Sequence, residues 1–209
     1  MTAKHALIIG ASRGLGLGLV KELLKDGWQV TATVRDPNKA DALKSLGQVS
    51  IEQLDIDNHQ AIKALSNRLN NQVFDLLFIN AGIKGPDDQW SGNATLAEVG
   101  QLFYTNSVAP INLAKAFVSK VRKDSGVLAF MSSVLGSITV PDAPEMALYK
   151  ASKAALNSMT TTFVHQELGD NNPTVLSMHP GWVKTDMGGE GAEIDVETST
   201  RGLVEQVKA

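Results

Sequence analysis

The chain of 209 residues contains no cysteine, which excludes disulfides, thiol nucleophiles and every zinc site built on thiolates. Its four histidines, His5, His59, His165 and His179, are scattered and form no His-x-x-x-His or His-Glu-x-x-His pair, so no metal site is expected. No apolar run approaches the ~18 residues a membrane helix needs. The N-terminal stretch Ala6–Ile9 is too short for a secretory core and runs straight into glycine. The expectation is a cytosolic protein with no membrane contact. With 19 Lys and Arg against 22 Asp and Glu, the net charge is −3, so no basic surplus points to nucleic acid. A hydrophobic content of 43% is ordinary for a globule, and this length suffices for one domain, residues 1–209, with a full core.

What is present is alternation. Short apolar runs predict strands at His5–Gly10, Gln29–Val34, Val49–Leu54, Val73–Asn80, Val127–Ser132 and Thr174–His179. Longer amphipathic segments predict helices at Gly14–Asp26, Asn38–Leu46, Asn58–Asn70, Ala97–Lys123, Met146–Leu168 and Val196–Lys208. In the third of these Asn58 is the cap, and Ala61, Leu65 and Leu69 form the inner stripe. Six βα units imply a doubly wound parallel α/β sheet of the Rossmann type, with helices on both faces. Such sheets bind ligands beyond the carboxyl ends of their strands. The Gly/Pro-rich loops Ile83–Thr95 and Leu135–Pro144 fall there.

Gly10-Ala11-Ser12-Arg13-Gly14-Leu15-Gly16 lies between the first strand and the first helix. Glycines there let the backbone turn tightly against a pyrophosphate, and the free N–H groups of a helix start favour the anion. No Gly-Lys-Ser/Thr follows, so it is not a Walker loop. Arg35 follows the second strand directly and the carboxylate Asp36 comes one residue later, where the chain turns away. A guanidinium grips a 2′-phosphate, with Arg13 as a second cation on the same side, so the reading is NADP over NAD. Tyr149 and Lys153 stand four apart on one helical face. Read alone, such a pair is a solvated surface. Read functionally, the ammonium lowers the phenol's pKa and makes it a proton donor.

These motifs, with Asp55, Asn80-Ala81-Gly82, Asn106, Ser132-Ser133 and Pro180-Gly181-Trp182-Val183-Lys184-Thr185, resemble the short-chain dehydrogenase/reductase family, and within it the small C-factor/sniffer-type carbonyl reductase branch. The resemblance covers Ile9 to Met187 and implies an NAD(P)-binding domain and an oxidoreductase acting on a carbonyl or alcohol. It implies that Tyr149 protonates the carbonyl oxygen, Lys153 holds the nicotinamide ribose, Ser133 orients the substrate and Asn106 positions a relay water. It sets Asp55 and Ile56 against the adenine, and Asn80, Ala81 and Gly82 under its ribose. Pro180, Gly181, Val183 and Thr185 border the carboxamide. A non-catalytic nucleotide-binding regulator on the same fold is the alternative. Ser133 as a strand-end cap, Asn106 as a helix-interior amide and Asn80 as a turn residue are the structural alternatives.

Two features depart from the family pattern. Sixteen positions separate Ser133 from Tyr149, a few more than many members have, and the family's usual seventh strand after the last helix is not expected here. An uncovered edge at the sixth strand follows from the latter. A dimer through the two long helices is an option, with Ala151, Ala154, Ala155 and Ser158 allowing close approach, though the same residues could pack the domain's own sheet. Trp90, Ile138, Val140 and Met187 suggest an apolar substrate pocket.

Overall fold

The computed structural model describes residues 3–89, 92–139, 143–169 and 172–209. Trp90 and Val140, two of the four pocket candidates, lie outside the described residues. Six strands form one parallel sheet: β1 (His5–Ile9), β2 (Gln29–Val34), β3 (Val49–Gln53), β4 (Leu76–Ile79), β5 (Val127–Met131) and β6 (Thr174–Met178). Their order is β3-β2-β1-β4-β5-β6, so the direction of winding reverses between β1 and β4. Residues on β1 alternate between two cores. Ala6 and Ile8 face the side covered by α1 (Gly14–Lys25) and α7 (Val196–Lys208). Leu7 and Ile9 face the side covered by α3 (His59–Arg68), α5 (Ala109–Phe117) and α6 (Ala147–Glu167). All four are fully buried, as a central strand covered on both faces requires.

Local chemistry sets the helix ends. Asn58 accepts a bond from the Ala61 amide at 3.1 Å and caps α3 as expected, while Ile62 rather than Ala61 joins Leu65 and Leu69 in the fully buried stripe. Thr95 and Glu98 form a reciprocal capping box at the start of α4 (Leu96–Phe103). The expected helix Asn38–Leu46 is broken into a 3₁₀ turn, Pro37–Lys39, and the short α2 (Asp41–Lys44). β4 is shorter than the apolar run that announces it. Phe74 leaves the ladder and bridges Val121, and the fully paired stretch starts at Leu76.

The larger correction concerns Ala97–Lys123. It is not one helix but α4, a π turn at Tyr104–Val108, α5 and a 3₁₀ turn at Val118–Lys120. Pro110 explains the break. It has no N–H to give the Asn106 carbonyl four residues back, and its ring crowds that carbonyl, so the backbone widens there. Among the described residues β6 pairs only with β5.

Candidate active site

The glycine turn is shaped as a cradle. Gly10 has φ +83, and a Cβ there would stand 2.8 Å from the Ala81 Cβ. A Cβ on Gly16 would stand 2.0 Å from the Gly10 carbonyl oxygen and 2.7 Å from the Asn80 amide nitrogen. Asn80 fixes the turn by donating from Nδ2 to the Gly10 carbonyl at 2.7 Å, and Thr33 on β2 accepts from the Gly10 N–H at 3.0 Å. α1 opens at Gly14 with no side-chain cap and no acidic residue in its first turn. Its free amides and positive dipole end face outward beside exposed Ser12 and Arg13. These features fit the pyrophosphate of a dinucleotide: a Cβ at Gly10 or Gly16 would collide with Ala81 or with the turn's own backbone, so only glycine lets the turn close this tightly before the free amides of α1.

At the end of β2, Arg35 is exposed and forms no ion pair among the described residues, while Asp36 is engaged as a cap, accepting from the Asn38 amide at 3.0 Å. The carboxylate is therefore turned into its own loop and the guanidinium is the available group. Arg13 pairs with Asp186 across the gap between the glycine turn and the segment after β6. Gly14 and the Thr185 methyl also face each other there, with a Cβ on Gly14 reaching 3.6 Å. Asp55 stands exposed after β3 beside buried Ile56. Pro180 is held to α7 by the Ser199 hydroxyl at 2.6 Å, Val183 bridges Ile194, and Thr185 accepts from the Gly188 amide at 3.1 Å. The segment is thus a fixed wall rather than a loose tail.

Tyr149 and Lys153 project from the first turns of α6 and are 9% and 3% exposed. The Ser133 hydroxyl, two residues past the end of β5, accepts from the Leu135 amide at 3.1 Å, the capping role the sequence left open, and also faces the Tyr149 phenol. The Lys153 ammonium lies 5.7 Å from the centre of the Tyr149 ring and donates to the Met131 carbonyl at 2.9 Å. Burial pushes the Tyr149 phenol up to about 12, with the Ser133 bond offsetting only part of it, and burial pulls the Lys153 ammonium down to about 8. This corrects the expectation of a phenol with a lowered pKa. The residues adjoin as foreseen, but here the phenolate's desolvation outweighs any help from the cation.

Asn106 sits in the π turn, fully buried. Its Oδ1 accepts from the Ile83 amide at 2.8 Å, and its Nδ2 donates to the Ile83 carbonyl at 2.8 Å and to Ser152 Oγ at 3.0 Å. Ser152 in turn donates to the Tyr149 carbonyl at 2.7 Å. Gly82 passes between: a Cβ there would stand 3.2 Å from Asn106 Oδ1 and 3.5 Å from Lys153 Nζ. Thr33, Gln89, Pro110 and Ser152 carry site geometry that the sequence reading missed. Of these only Pro110, inside an apolar helical run, advertises itself by residue type. A cleft of about 590 Å³ beside the second half of α6 and the β6 edge is lined by neither Tyr149, Lys153 nor Ser133. No group of three or more metal-binding side chains occurs among the described residues.

The family model for short chain dehydrogenases matches residues 4–194. The chain belongs to the short-chain dehydrogenase family. An oxidoreductase of Schizosaccharomyces pombe is 33% identical over 218 residues, covering 97% of this chain and 82% of that protein. A carbonyl reductase from Pseudomonas aeruginosa in complex with NADP superposes with a TM-score of 0.91 at 38% identity, covering 99% of this chain and 91% of that one. The carbonyl reductase Sniffer of D. melanogaster gives 0.89 at 34% identity, over 99% and 92%. The short-chain dehydrogenase fold thus accounts for the six-stranded parallel sheet and its flanking helices. No helix among the described residues is long and apolar enough to cross a membrane.

Proposed function

We propose that this protein is an NADP-dependent reductase of a carbonyl substrate, able to oxidise the corresponding alcohol in reverse. The observation that carries the reading is the cluster of buried Tyr149 and Lys153 with half-buried Ser133 at the phenol and the Lys153 ammonium 5.7 Å from the ring centre, together with the glycine turn that opens α1. The cofactor, when bound, supplies the hydride. Ser133 and Tyr149 donate hydrogen bonds to the substrate oxygen where negative charge grows. Tyr149 then gives its proton to that oxygen, and a pKa near 12 keeps it protonated until the oxygen becomes the stronger base. Lys153 holds the ribose hydroxyls and returns a proton towards Tyr149. The Asn106 side chain spends both N–H donors and one acceptor site on Ile83 and Ser152, and its backbone carbonyl, which Pro110 denies an i+4 donor, is the group assigned to a relay water.

Free Arg35 and the engaged Asp36 support a 2′-phosphate, as do relatives crystallised with NADP. Asp55 and Ile56 border the adenine, Asn80, Ala81 and Gly82 its ribose, and Pro180, Gly181, Val183 and Thr185 the carboxamide. Ile138 and Met187, 93% and 42% exposed on the loops after β5 and β6, suit an apolar substrate. The exposed Ala151 and Ser158 on α6 suit a homodimer, and the cytosol is the proposed location. Paired titrations with NADPH and NADH, then a carbonyl panel followed through the absorbance of the reduced cofactor, test the reading. NADPH oxidation that falls about 10²- to 10⁴-fold in Tyr149→Phe, with cofactor binding retained, is expected. Full turnover in that variant refutes Tyr149 as the acid.

A further inference from the structure

We propose that Gln89 is a positioning residue for Tyr149. The proposal rests on the reading of Tyr149 as the proton donor. α6 begins at Ala147, and the first amides of a helix have no partner within it. Met146, at the cap position, supplies no side-chain acceptor. Tyr149 is the third residue of the helix, where a capping side chain normally bonds. That bond comes instead from Gln89, sixty residues upstream, whose Oε1 accepts from the Tyr149 amide at 2.9 Å. The other end of the same side chain donates to the Lys84 carbonyl at 3.0 Å, and Gln89 is 5% exposed. Each end of the amide meets the partner it needs, so its orientation is set by its surroundings.

The backbone of Tyr149 is gripped on both sides. Gln89 holds its N–H, and Ser152 holds its C=O at 2.7 Å. Ser152 is itself held by Asn106, and Asn106 by the backbone of Ile83. Ile83 and Gln89 belong to one loop, the segment after β4. Gly85 lets that loop turn back on itself: its φ is +90, and a Cβ there would press on Leu102 at 2.8 Å. One loop therefore closes a hydrogen-bonded circuit around the residue that carries the phenol. A buried glutamine is costly to order, and this circuit accounts for its presence.

The test compares Gln89→Met, which keeps length and loses both polar ends, with Gln89→Glu, which keeps the acceptor. In Gln89→Met, kcat falls about ten-fold, because a small misplacement of the proton donor is felt mainly in the transition state. The KM for the carbonyl and the affinity for NADPH stay within about two-fold, and Gln89→Glu returns kcat to within about three-fold of the parent. In the Tyr149→Phe background, Gln89→Met costs less than about two-fold more. A kcat within two-fold of the parent in Gln89→Met overturns the proposal. So does an undiminished ten-fold loss in the Tyr149→Phe background. Amide exchange separates this from the reading it rests on: if Tyr149→Phe is fully active, that reading fails, but the Tyr149 amide still exchanges faster in Gln89→Met if the contact is real. Should Gln89→Met not fold, the unaltered protein decides, since exchange of the Tyr149 amide at the free-chain rate also overturns the proposal.

Discussion

Lys153→Met is expected to destroy turnover and yet make the protein more stable at neutral pH. The Lys153 ammonium is 3% exposed, and burial lowers its pKa from 10.5 to about 8. At ~1.4 kcal/mol per pH unit, holding that charge costs the folded state about 3 kcal/mol at pH 7. Methionine keeps the stem and removes the charge. The loss of the bond to the Met131 carbonyl returns about 1 kcal/mol, leaving a net gain of about 2 kcal/mol. For a chain of this length that is a rise in Tm of roughly 4–8 °C. The sign with pH follows from proton counts. Between pH 8 and 10.5 the unfolded chain holds a proton at Lys153 that the folded state has released, so the parent gains stability as pH rises through this window. By pH 9.5 roughly half the penalty is gone and the variant's advantage falls close to zero. Tyr149, pushed up to about 12, is present in both proteins and cancels from the comparison. Urea unfolding followed by far-UV circular dichroism at pH 7 and pH 9.5 measures both differences. A variant less stable than the parent at pH 7, or an advantage that does not change with pH, refutes the claim that Lys153 is carried at a cost for function.

Arg35→Asp should shift preference from NADPH towards NADH by about 10- to 100-fold, the worth of a charge-assisted hydrogen bond to a phosphate. An unchanged ratio of Kd values in paired titrations means that Arg35 does not read the 2′-phosphate. Gly16→Ala places a Cβ 2.0 Å from the Gly10 carbonyl, a clash with backbone that no rotamer relieves. It should cost about 1–3 kcal/mol in urea unfolding and reduce dinucleotide binding at least ten-fold, and parental affinity would show that the cradle is not the binding surface.

The sheet is legible in the sequence because a central parallel strand needs an apolar residue at every position. Leu7, Ile8, Leu77 and Phe78 leave no other reading, whereas Phe74, in the same apolar run, is claimed by Val121 and cannot be told apart by hydropathy. The cradle is legible because only glycine tolerates 2.0 Å to a carbonyl or a φ of +83. Pair spacing brings Tyr149 and Lys153 to one face, but the sign of the Tyr149 shift is not contained in it. That sign depends on desolvation by residues distant in the chain, and only the packed structure supplies it. Gln89 is illegible for the same reason: a glutamine in a polar loop has no local partner to declare it, and its bond spans sixty residues.

The break at Pro110 shows how far elementary chemistry can go when one residue is taken literally. A proline inside a helical run denies a donor to the carbonyl four residues earlier, and here that residue is Asn106. The π turn that results buries Asn106, Thr105 and Ser107 and aims their side chains at different anchors. Thr105 bonds Asp57 at 2.9 Å, Asn106 bonds Ile83 and Ser152, and Ser107 donates to the Ser152 carbonyl at 2.8 Å. An unbroken α-helix would rotate these neighbours by one hundred degrees each along a regular spiral, and a widened turn changes which of them face α6. The proline thereby couples two properties of one residue. The Asn106 side chain becomes structural, bonded to the Ser152 that holds Tyr149, while its carbonyl loses its α-helical donor. A helix that was easy to recognise from its apolar period is therefore least regular where it meets the candidate site, and the irregularity is held in place by the bonds that Thr105, Asn106 and Ser107 make.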